Sequence, residues 1–517
     1  MMRVLIRVDS SIFLGAGHVA RCVALAVELK RRDHQVVFVM RALPGHLIAE
    51  TKAQDFEVLS LTDSSLATAT NQAAWIEMAR APSAQLLDAK ETLNTLQHQC
   101  FDWVVVDHYA LGIEWQNAVR GIARKLLAVD DEANRPIQCD ALLNQNLGAT
   151  AARYRDVMPP HCLALLGPRW ALLRPEFSFL KEPIHAQDLT PGSSHVLVSL
   201  GGADAQGYAL QVLEVLGECG FRSDTVTVVA GARNPHALAL AQQCHALGFA
   251  FLNSTQAMAQ LMARSDWAIG AGGVSLLERC TMGLPSITLP IAPNQWPGVQ
   301  AADAHGAVIA VNPEAPSFRE RLRQAIQIMQ TSAERLKKMA LVGRAVCDAN
   351  GARRVVDVLQ TSALTLRQAT LEDATALHEW RNAPQTRRHS GNGHIISFEQ
   401  HHAWLQAVLN NAERRLWIAS IEAGPVGVLR FDRHQPSVDA VVEISVYRVP
   451  SQPGTRWGRA LIARGVQEAQ MTWPSLQRID ARISSDNLSS LKAFAACGFE
   501  ETALPGVYQK TLQKISL

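Results

Sequence analysis

No Cys-x-x-Cys pair occurs anywhere in the 517 residues, so a paired-cysteine metal site has no signature here. The nine cysteines are odd in number, widely spaced and mostly set in apolar runs, as at Cys22, Cys219 and Cys280. That pattern suits a reducing cytoplasm better than a disulfide framework. Charge of one sign is equally scarce: 49 basic against 47 acidic residues leave a formal net charge of +2. Lys and Arg are scattered rather than gathered, which speaks against a nucleic-acid partner. No unbroken apolar stretch reaches the roughly 20 residues that span a bilayer. The start, "MMRVLIRVDSS", is apolar only briefly and has no small-residue cleavage site, unlike a signal peptide. The expectation is a cytoplasmic protein without membrane association.

What is present is enough apolar residue to build cores, 48% of the chain, over a length that suggests two to four domains. Up to residue 360, short continuous apolar runs ("RVLIRV", "QVVFVM", "WVVVD", "KLLAVD") alternate with helical patterns, as in a parallel sheet covered on both faces. Residues 178–194 lose periodicity and gather Pro, Gly and Ser, which reads as a linker. "HVLVSLGG" then restarts the alternation, followed by "TVTVVAG", "WAIGAGG" and "PSITLP". The expected fold class is α/β: Rossmann-like domains over 1–177 and 195–360, with a ligand cleft at the carboxyl ends of the strands. From about residue 362 the strands lengthen and alternate, as in an antiparallel meander, which marks a third, α+β domain over 362–517.

The stretch "VDSSIFLGAGHVARC" runs from strand to glycine loop to helix. Gly15 and Gly17 permit a sharp turn and close approach of a ligand. A neutral imidazole at His18 can accept a proton, as a general base must near neutral pH; the competing reading is a histidine that caps its own helix. In "GAGGVSLLERC", Gly272, Gly273 and Ser275 lie where a helix N-terminus can meet a diphosphate. Glu278, one turn on, is placed to accept ribose hydroxyls, against the alternative of a solvated surface Glu. "LGGADAQG" puts a second glycine turn, Gly201 and Gly202, at the same cleft.

Six blocks in order, "RVDSSIFLGAGHVARC", "VVVDHYALG", "LLGPRWALLRPEF", "VLVSLGGAD", "GAGGVSLLERCTMGLPSITLPIAPNQ" and "DANGARRV", make residues 1–360 resemble the UDP-sugar hydrolases of pseudaminic acid biosynthesis. These cleave UDP-2,4-diacetamido-2,4,6-trideoxy-β-L-altropyranose. The resemblance implies a glycosyltransferase-B arrangement of the two Rossmann-like domains and no metal. It implies His18 as the base that activates water at the anomeric carbon, with inversion. It also implies substrate contacts from Asp107 and Tyr109, and a reach to sugar or phosphate from Asn294 and Gln295. Asp130 and Asp131 are read as polar strand ends facing the cleft.

Over 364–512, "GTRWGRALIARGVQEA" and "ISSDNLSSLKAFAACGF" resemble the GNAT acetyltransferases, and "EWRNAPQTRRHS" with "HHAW" resembles the branch that N-acetylates UDP-4-amino sugars. The implied acetyl-CoA contacts are Arg456, Gly458 and Arg459 at a helix start, Ile444 and Val446 along a strand, and Asn487 and Ser490. Arg381, Asn382 and Trp404 would shape the amino-sugar pocket. Glu443 is either the base that takes the amine proton through water or a solvent-facing strand carboxylate. Three positions depart from the family: Pro453 stands where the cofactor loop has a polar residue, Arg456 where it has its first glycine, and Phe494 where many relatives have a proton-donating tyrosine. The two activities join, because acetylation of the 4-amine supplies the substrate of the hydrolase. The rival reading is a glycosyltransferase with an acetyl-CoA sensor domain. Expected partners are the UDP-linked amino sugar and acetyl-CoA, in a monomer or homodimer.

Overall fold

The computed structural model describes residues 1–12, 14–62, 72–97, 99–179, 195–202, 204–221, 225–231, 233–390, 393–421, 424–433, 441–450 and 457–512. They form two compact units: Val4–Glu28 with Val36–Val355, and Val356–Leu517 with Met1–Arg3 and Leu29–Gln35.

The larger unit holds two Rossmann-like parallel sheets. In the first, β1 (Arg3–Val8), β2 (Gln35–Arg41), β3 (Glu57–Leu61), β4 (Phe101–Asp107), β5 (Ala123–Val129), β6 (Ala141–Asn144) and β7 (Leu163–Leu166) lie in the order 3-2-1-4-5-6-7. The second contains β8 (Val196–Ser199), β9 (Val226–Val229), β10 (Ala250–Leu252), β11 (Trp267–Ala271), β12 (Ser286–Leu289) and β13 (Ile309–Ala310), in the order 10-9-8-11-12-13. The apolar runs of the sequence become strands closed off from water; every residue of β4 and of β11 is buried. In both sheets the strand order reverses between the first and fourth strands, at β1/β4 and at β8/β11. A crevice opens at the carboxyl ends of such a pair. His18 follows β1, Asp107 ends β4, Gly201 and Gly202 follow β8, and Gly272 and Gly273 follow β11. The topology thus carries every glycine and acid–base candidate of the first 360 residues to one of two switch points.

The smaller unit is built on a mixed sheet of β14 (Thr365–Gln368), β15 (Arg414–Ile421), β16 (Gly424–Asp432), β17 (Val441–Arg448), β18 (Arg478–Arg482), β19 (Glu500–Glu501) and β20 (Val507–Thr511), ordered 14-15-16-17-18-20-19. β14 to β17 form the expected antiparallel meander, but β18 pairs with β17 in parallel. That pairing covers only Val441–Ile444, whereas β16 follows β17 as far as Arg448. β17 and β18 therefore splay after Ile444. The helix Trp457–Thr472 covers one face, where Gly465 lies against Leu429, Phe431 and Ile444. Helices Ala374–Asn382 and Phe398–Leu409 cover the other through Leu377, Leu405 and Val408, packed on Leu416, Ile418 and Val428.

The boundaries differ from the expected ones in detail. Ala171, Leu173 and Phe177 pack with Leu197, Leu276 and Leu277 of the second sheet's layer, so the chain has joined the second lobe before residue 177. Ser178 and Phe179 end the helix Glu176–Phe179, and residues 180–194 of the expected linker lie outside the described residues. The expected break after residue 360 falls inside the helix Gly351–Ala363, and the division between units falls at Val355/Val356. Among the described residues no helix is long and apolar enough to cross a membrane.

Candidate functional site

The loop after β1 is fastened by its polar residues. The Asp9 carboxylate accepts from the Arg41 N–H (2.7 Å), Ser10 Oγ from the Leu47 N–H (2.9 Å) and Ser11 Oγ from the Leu14 N–H (3.0 Å). Gly15 turns the chain with φ +73°, a conformation that side chains resist, and donates its N–H to the Ser11 carbonyl at 2.9 Å. The helix Gly17–Arg31 starts at once, with His18 as its second residue. A Cβ added at Gly15 or Gly17 would meet open space, so this loop presents bare backbone.

His18 is buried, and its Nδ1 lies 2.6 Å from Asp107 Oδ1. An ionised carboxylate only accepts, so Nδ1 carries a proton, and in the neutral ring the lone pair then lies on Nε2. Arg21, one turn along the same helix, donates to Asp107 through Nε (2.6 Å) and Nη2 (2.7 Å), and through Nη1 to Asp131 at 2.8 Å. Burial works against the Asp107 carboxylate, but Arg21 and then His18 outweigh it and hold its pKa far below the usual carboxylate range. The Tyr109 ring stands edge-on to the imidazole with centroids 4.4 Å apart.

Asp107 lies 1% exposed beneath His18, so it faces the imidazole and not the cleft expected of a substrate contact. Asn294 donates from Nδ2 to the Tyr109 hydroxyl at 2.8 Å, which ties the loop after β12 to the loop after β4. Gln295 accepts the Ile291 N–H at 3.1 Å and packs on Gly272. Both amides therefore bond within the protein. Asp130 accepts the Ala133 N–H (2.7 Å) and pairs with Arg135 (2.8 Å), while Asp131 takes Arg21 and Asn146, so both carboxylates bond within the protein, Asp131 on the same arginine as Asp107.

In the second lobe, Gly272 and Gly273 join β11 to the helix Val274–Met282. A Cβ at Gly272 would come within 2.8 Å of Val299 Cγ2 and 2.9 Å of Gln295 Cβ. Ser275 and Glu278 line a small pocket with Ser199, Gly270, Met258 and Arg279. Burial raises the Glu278 pKa against the pull of Arg174, whose Nη2 is 3.4 Å from Oε1. Arg279 is buried and its pKa falls to about 10, chiefly through burial; it donates to the Ala271 carbonyl (2.7 Å) and Thr288 Oγ1 (3.1 Å). Gly201 (φ +84°) and Gly202 form the turn after β8.

In the smaller unit, Ile444 is the last residue of β17 paired with β18, and Val446 lies in the splayed half. Glu443 receives Arg482 Nε at 3.0 Å. Arg459 pairs with Asp357 at 2.7 Å, and Gly458 sits in the first turn of the helix Trp457–Thr472; Arg456 and Pro453 lie outside the described residues. Phe494 is buried edge-on to Phe499, centroids 4.9 Å apart. Asn382 uses its amide as a backbone clamp, donating to the Ile396 carbonyl (2.8 Å) and accepting its N–H (2.9 Å). Trp404 lies under the Arg430 guanidinium.

Asn487 caps the helix Leu488–Ala496, accepting the Ser490 N–H at 3.2 Å. Asn487→Ala is expected to cost about 1 kcal/mol of unfolding free energy, the usual loss at an N-cap, read from the urea midpoint. A KM for acetyl-CoA that stays put in this variant would confine Asn487 to capping.

Arg21 was not among the sequence candidates. Its signal was the spacing: residues 18 and 21 share a helix face, and a cation beside apolar Cys22 and Val23 needs an acid.

Residues 363–500 match the acetyltransferase (GNAT) domain family. The first part is 26% identical over 238 residues, 46% of this chain and 72% of the relative, to UDP-2,4-diacetamido-2,4,6-trideoxy-β-L-altropyranose hydrolase of Campylobacter jejuni. It is also 26% identical over 240 residues, 46% of this chain and 69% of the relative, to the spore coat polysaccharide biosynthesis protein SpsG of Bacillus subtilis. A solved structure of MurG from Acinetobacter baumannii, 16% identical, covers 70% of this chain and 99% of that one with a TM-score of 0.48. The chain thus ends in a GNAT acetyltransferase domain, with the acetyl-CoA site that such a domain implies, behind a two-sheet segment distantly related to the Campylobacter and Bacillus proteins.

Proposed function

We propose that the protein is bifunctional: its two-sheet unit hydrolyses a UDP-linked 2,4-diacetamido sugar, and its GNAT domain makes that substrate by acetylating the 4-amine of the precursor. The observation that carries the first half is the 2.6 Å contact from Asp107 to His18 Nδ1, which leaves Nε2 as the one ring nitrogen able to take a proton. A water at the anomeric carbon gives its proton to Nε2 as its oxygen bonds C1; the C1–O bond breaks with inversion, and UDP leaves with the electron pair. Amides of the Gly201–Gly202 and Gly272–Gly273 turns and the N-terminus of the helix Val274–Met282 would stabilise the departing diphosphate. Ser275 and Glu278, on the first turns of that helix, would bond the ribose hydroxyls.

In the GNAT domain the gap between β17 and β18 receives the pantetheine arm along Ile444–Val446, and the N-terminal turn of the helix Trp457–Thr472 receives the cofactor phosphates. The amine nitrogen attacks the acetyl carbonyl, the C–S bond breaks, and Glu443 takes the amine proton through water. One chain that makes and then consumes the diacetamido sugar raises the local concentration of the intermediate.

The test is to incubate the protein with acetyl-CoA and the UDP-4-amino sugar and identify the products by NMR. The free diacetamido sugar and UDP are expected; a glycoside, or UDP release without acetylation, would refute the proposal. Gly272→Ala drives Gln295 and Val299 apart, so UDP affinity measured by calorimetry is expected to fall about tenfold, as for loss of one good contact. Unchanged affinity would remove this turn from the nucleotide site.

A further inference from the structure

Cys139 and Cys162 stand just ahead of two neighbouring parallel strands, β6 and β7. The strands are already laddered there, with the Leu163 N–H donating to the Asp140 carbonyl at 2.9 Å. Both side chains enter the core that also holds Leu142 and Tyr154. Both are thiols, and their sulfurs lie 3.4 Å apart. A disulfide needs sulfurs about 2 Å apart and Cα atoms about 4.4–6.8 Å apart, the second of which adjacent strands supply. Cys139 is closed off from water, whereas Cys162 is 8% exposed and lies between His161 and Leu163, both open to solvent, at the start of the outermost strand of the sheet. The hydrogen bond from Cys139 draws the Cys162 thiol down from its ordinary pKa, against burial and Asp140. Cys139 moves the other way, first through that bond and then through burial, so it keeps its proton while Cys162 gives one up.

We propose that Cys139 and Cys162 form a redox-reactive dithiol, which a hydroperoxide converts to a disulfide that fastens the outer edge of the first sheet and which a dithiol reductant restores. The Cys162 thiolate attacks one peroxide oxygen, the O–O bond breaks, and the leaving hydroxide takes up the proton that Cys162 gave. The Cys139 sulfur then attacks the sulfur of the resulting sulfenic acid; the S–O bond breaks, and the hydroxyl leaves as water with the Cys139 proton. Two thiols lose two electrons in all, and one hydrogen peroxide becomes two waters. The cross-link joins residues 23 positions apart, so it restricts the unfolded chain and raises stability. It lies at the amino ends of β6 and β7, whereas Asp107 ends β4 at its carboxyl end, so the bond acts on stability and not on the chemistry at His18. In a reducing compartment such a bond lasts only while oxidant is present.

The test treats the full chain with hydrogen peroxide, unfolds it with an alkylating agent present and maps the peptides by mass spectrometry. One cross-linked pair joining Cys139 to Cys162 is expected, lighter by two hydrogens and released by dithiothreitol, while the exposed Cys100 stays alkylated. The midpoint of thermal unfolding should rise by about 5 °C on oxidation. Cys139→Ala should show no such rise and should leave Cys162 as a sulfenic acid that dimedone captures. Full alkylation of both thiols after peroxide overturns the proposal, as does a cross-link between other cysteines. Sulfinic acid on Cys162 beside an untouched Cys139 also overturns it, and so does a Cys139–Cys162 link that leaves the midpoint where it was.

Discussion

His18→Asn is expected to abolish UDP release, by a factor of roughly 10²–10⁴, while acetylation of the UDP-4-amino sugar continues unchanged. The size follows from the proton's path. Without an imidazole at the second residue of the helix Gly17–Arg31 no base stands at the switch point, because Asp107 is buried beneath it and already takes Arg21 and His18. Asp107→Asn is expected to fall by a similar factor, since an amide that turns its NH2 toward Nδ1 sends the ring proton to Nε2, where it blocks catalysis. Product NMR separates the outcomes: in both variants the diacetamido UDP-sugar should accumulate. UDP release at the parent rate would remove the His18–Asp107 pair from the chemistry. Asp107 also predicts a pH dependence of stability. A carboxylate whose folded pKa is depressed contributes stability that is full above its unfolded pKa of about 4 and is lost as pH falls toward the folded value. Acid unfolding below about pH 4 should therefore be blunted in Asp107→Asn relative to its own stability at pH 7.

Asp88→Ala is expected to cost about 3–5 kcal/mol, the largest stability change of any single substitution considered. Arg7 is fully buried in the middle of β1, and Asp88 answers it through Nε (3.1 Å) and Nη2 (2.6 Å). The same carboxylate accepts Arg41 Nη2 at 2.8 Å and the Trp115 indole N–H at 2.9 Å. Removing it takes one of two carboxylates from fully buried Arg7, which keeps Asp9, and one of two from Arg41, which keeps Glu91, and it leaves an indole N–H unbonded; each lost charge-assisted bond in a buried site is costly. Urea unfolding monitored by circular dichroism checks this; a shift below about 1 kcal/mol would show that Asp9 and Glu91 suffice for both arginines. Asp88→Asn, which keeps the indole's acceptor but loses the charge, should fall between.

Much of this was legible in the sequence, and for a reason. Continuous apolar runs such as "WVVVD" can only be strands covered on both faces, and glycines placed directly after them mark the turns where helices begin. That logic located His18, Gly272 and Glu278 at the switch points. It did not find β3, β6 or β7, which are short and whose runs are broken by polar residues such as Glu57, Asp140 and Asn144. Side-chain partners were the other blind spot. Asn487, Arg459 and Asn382 carry the residue types of ligand contacts, yet each is engaged by its own fold, as a helix cap, an ion pair and a loop clamp. A sequence states which groups are available and is silent on which are already taken. Arg7 is the counterexample, because a cation inside an apolar strand announces that an acid must meet it.

The hydrogen bond from Asn294 to the Tyr109 hydroxyl links the loop after β12 to the imidazole through a single phenol, because the Tyr109 ring stands edge-on to His18. A displacement of that loop therefore pulls on a ring packed against the proposed base, so both sheets have a hand in where the imidazole sits.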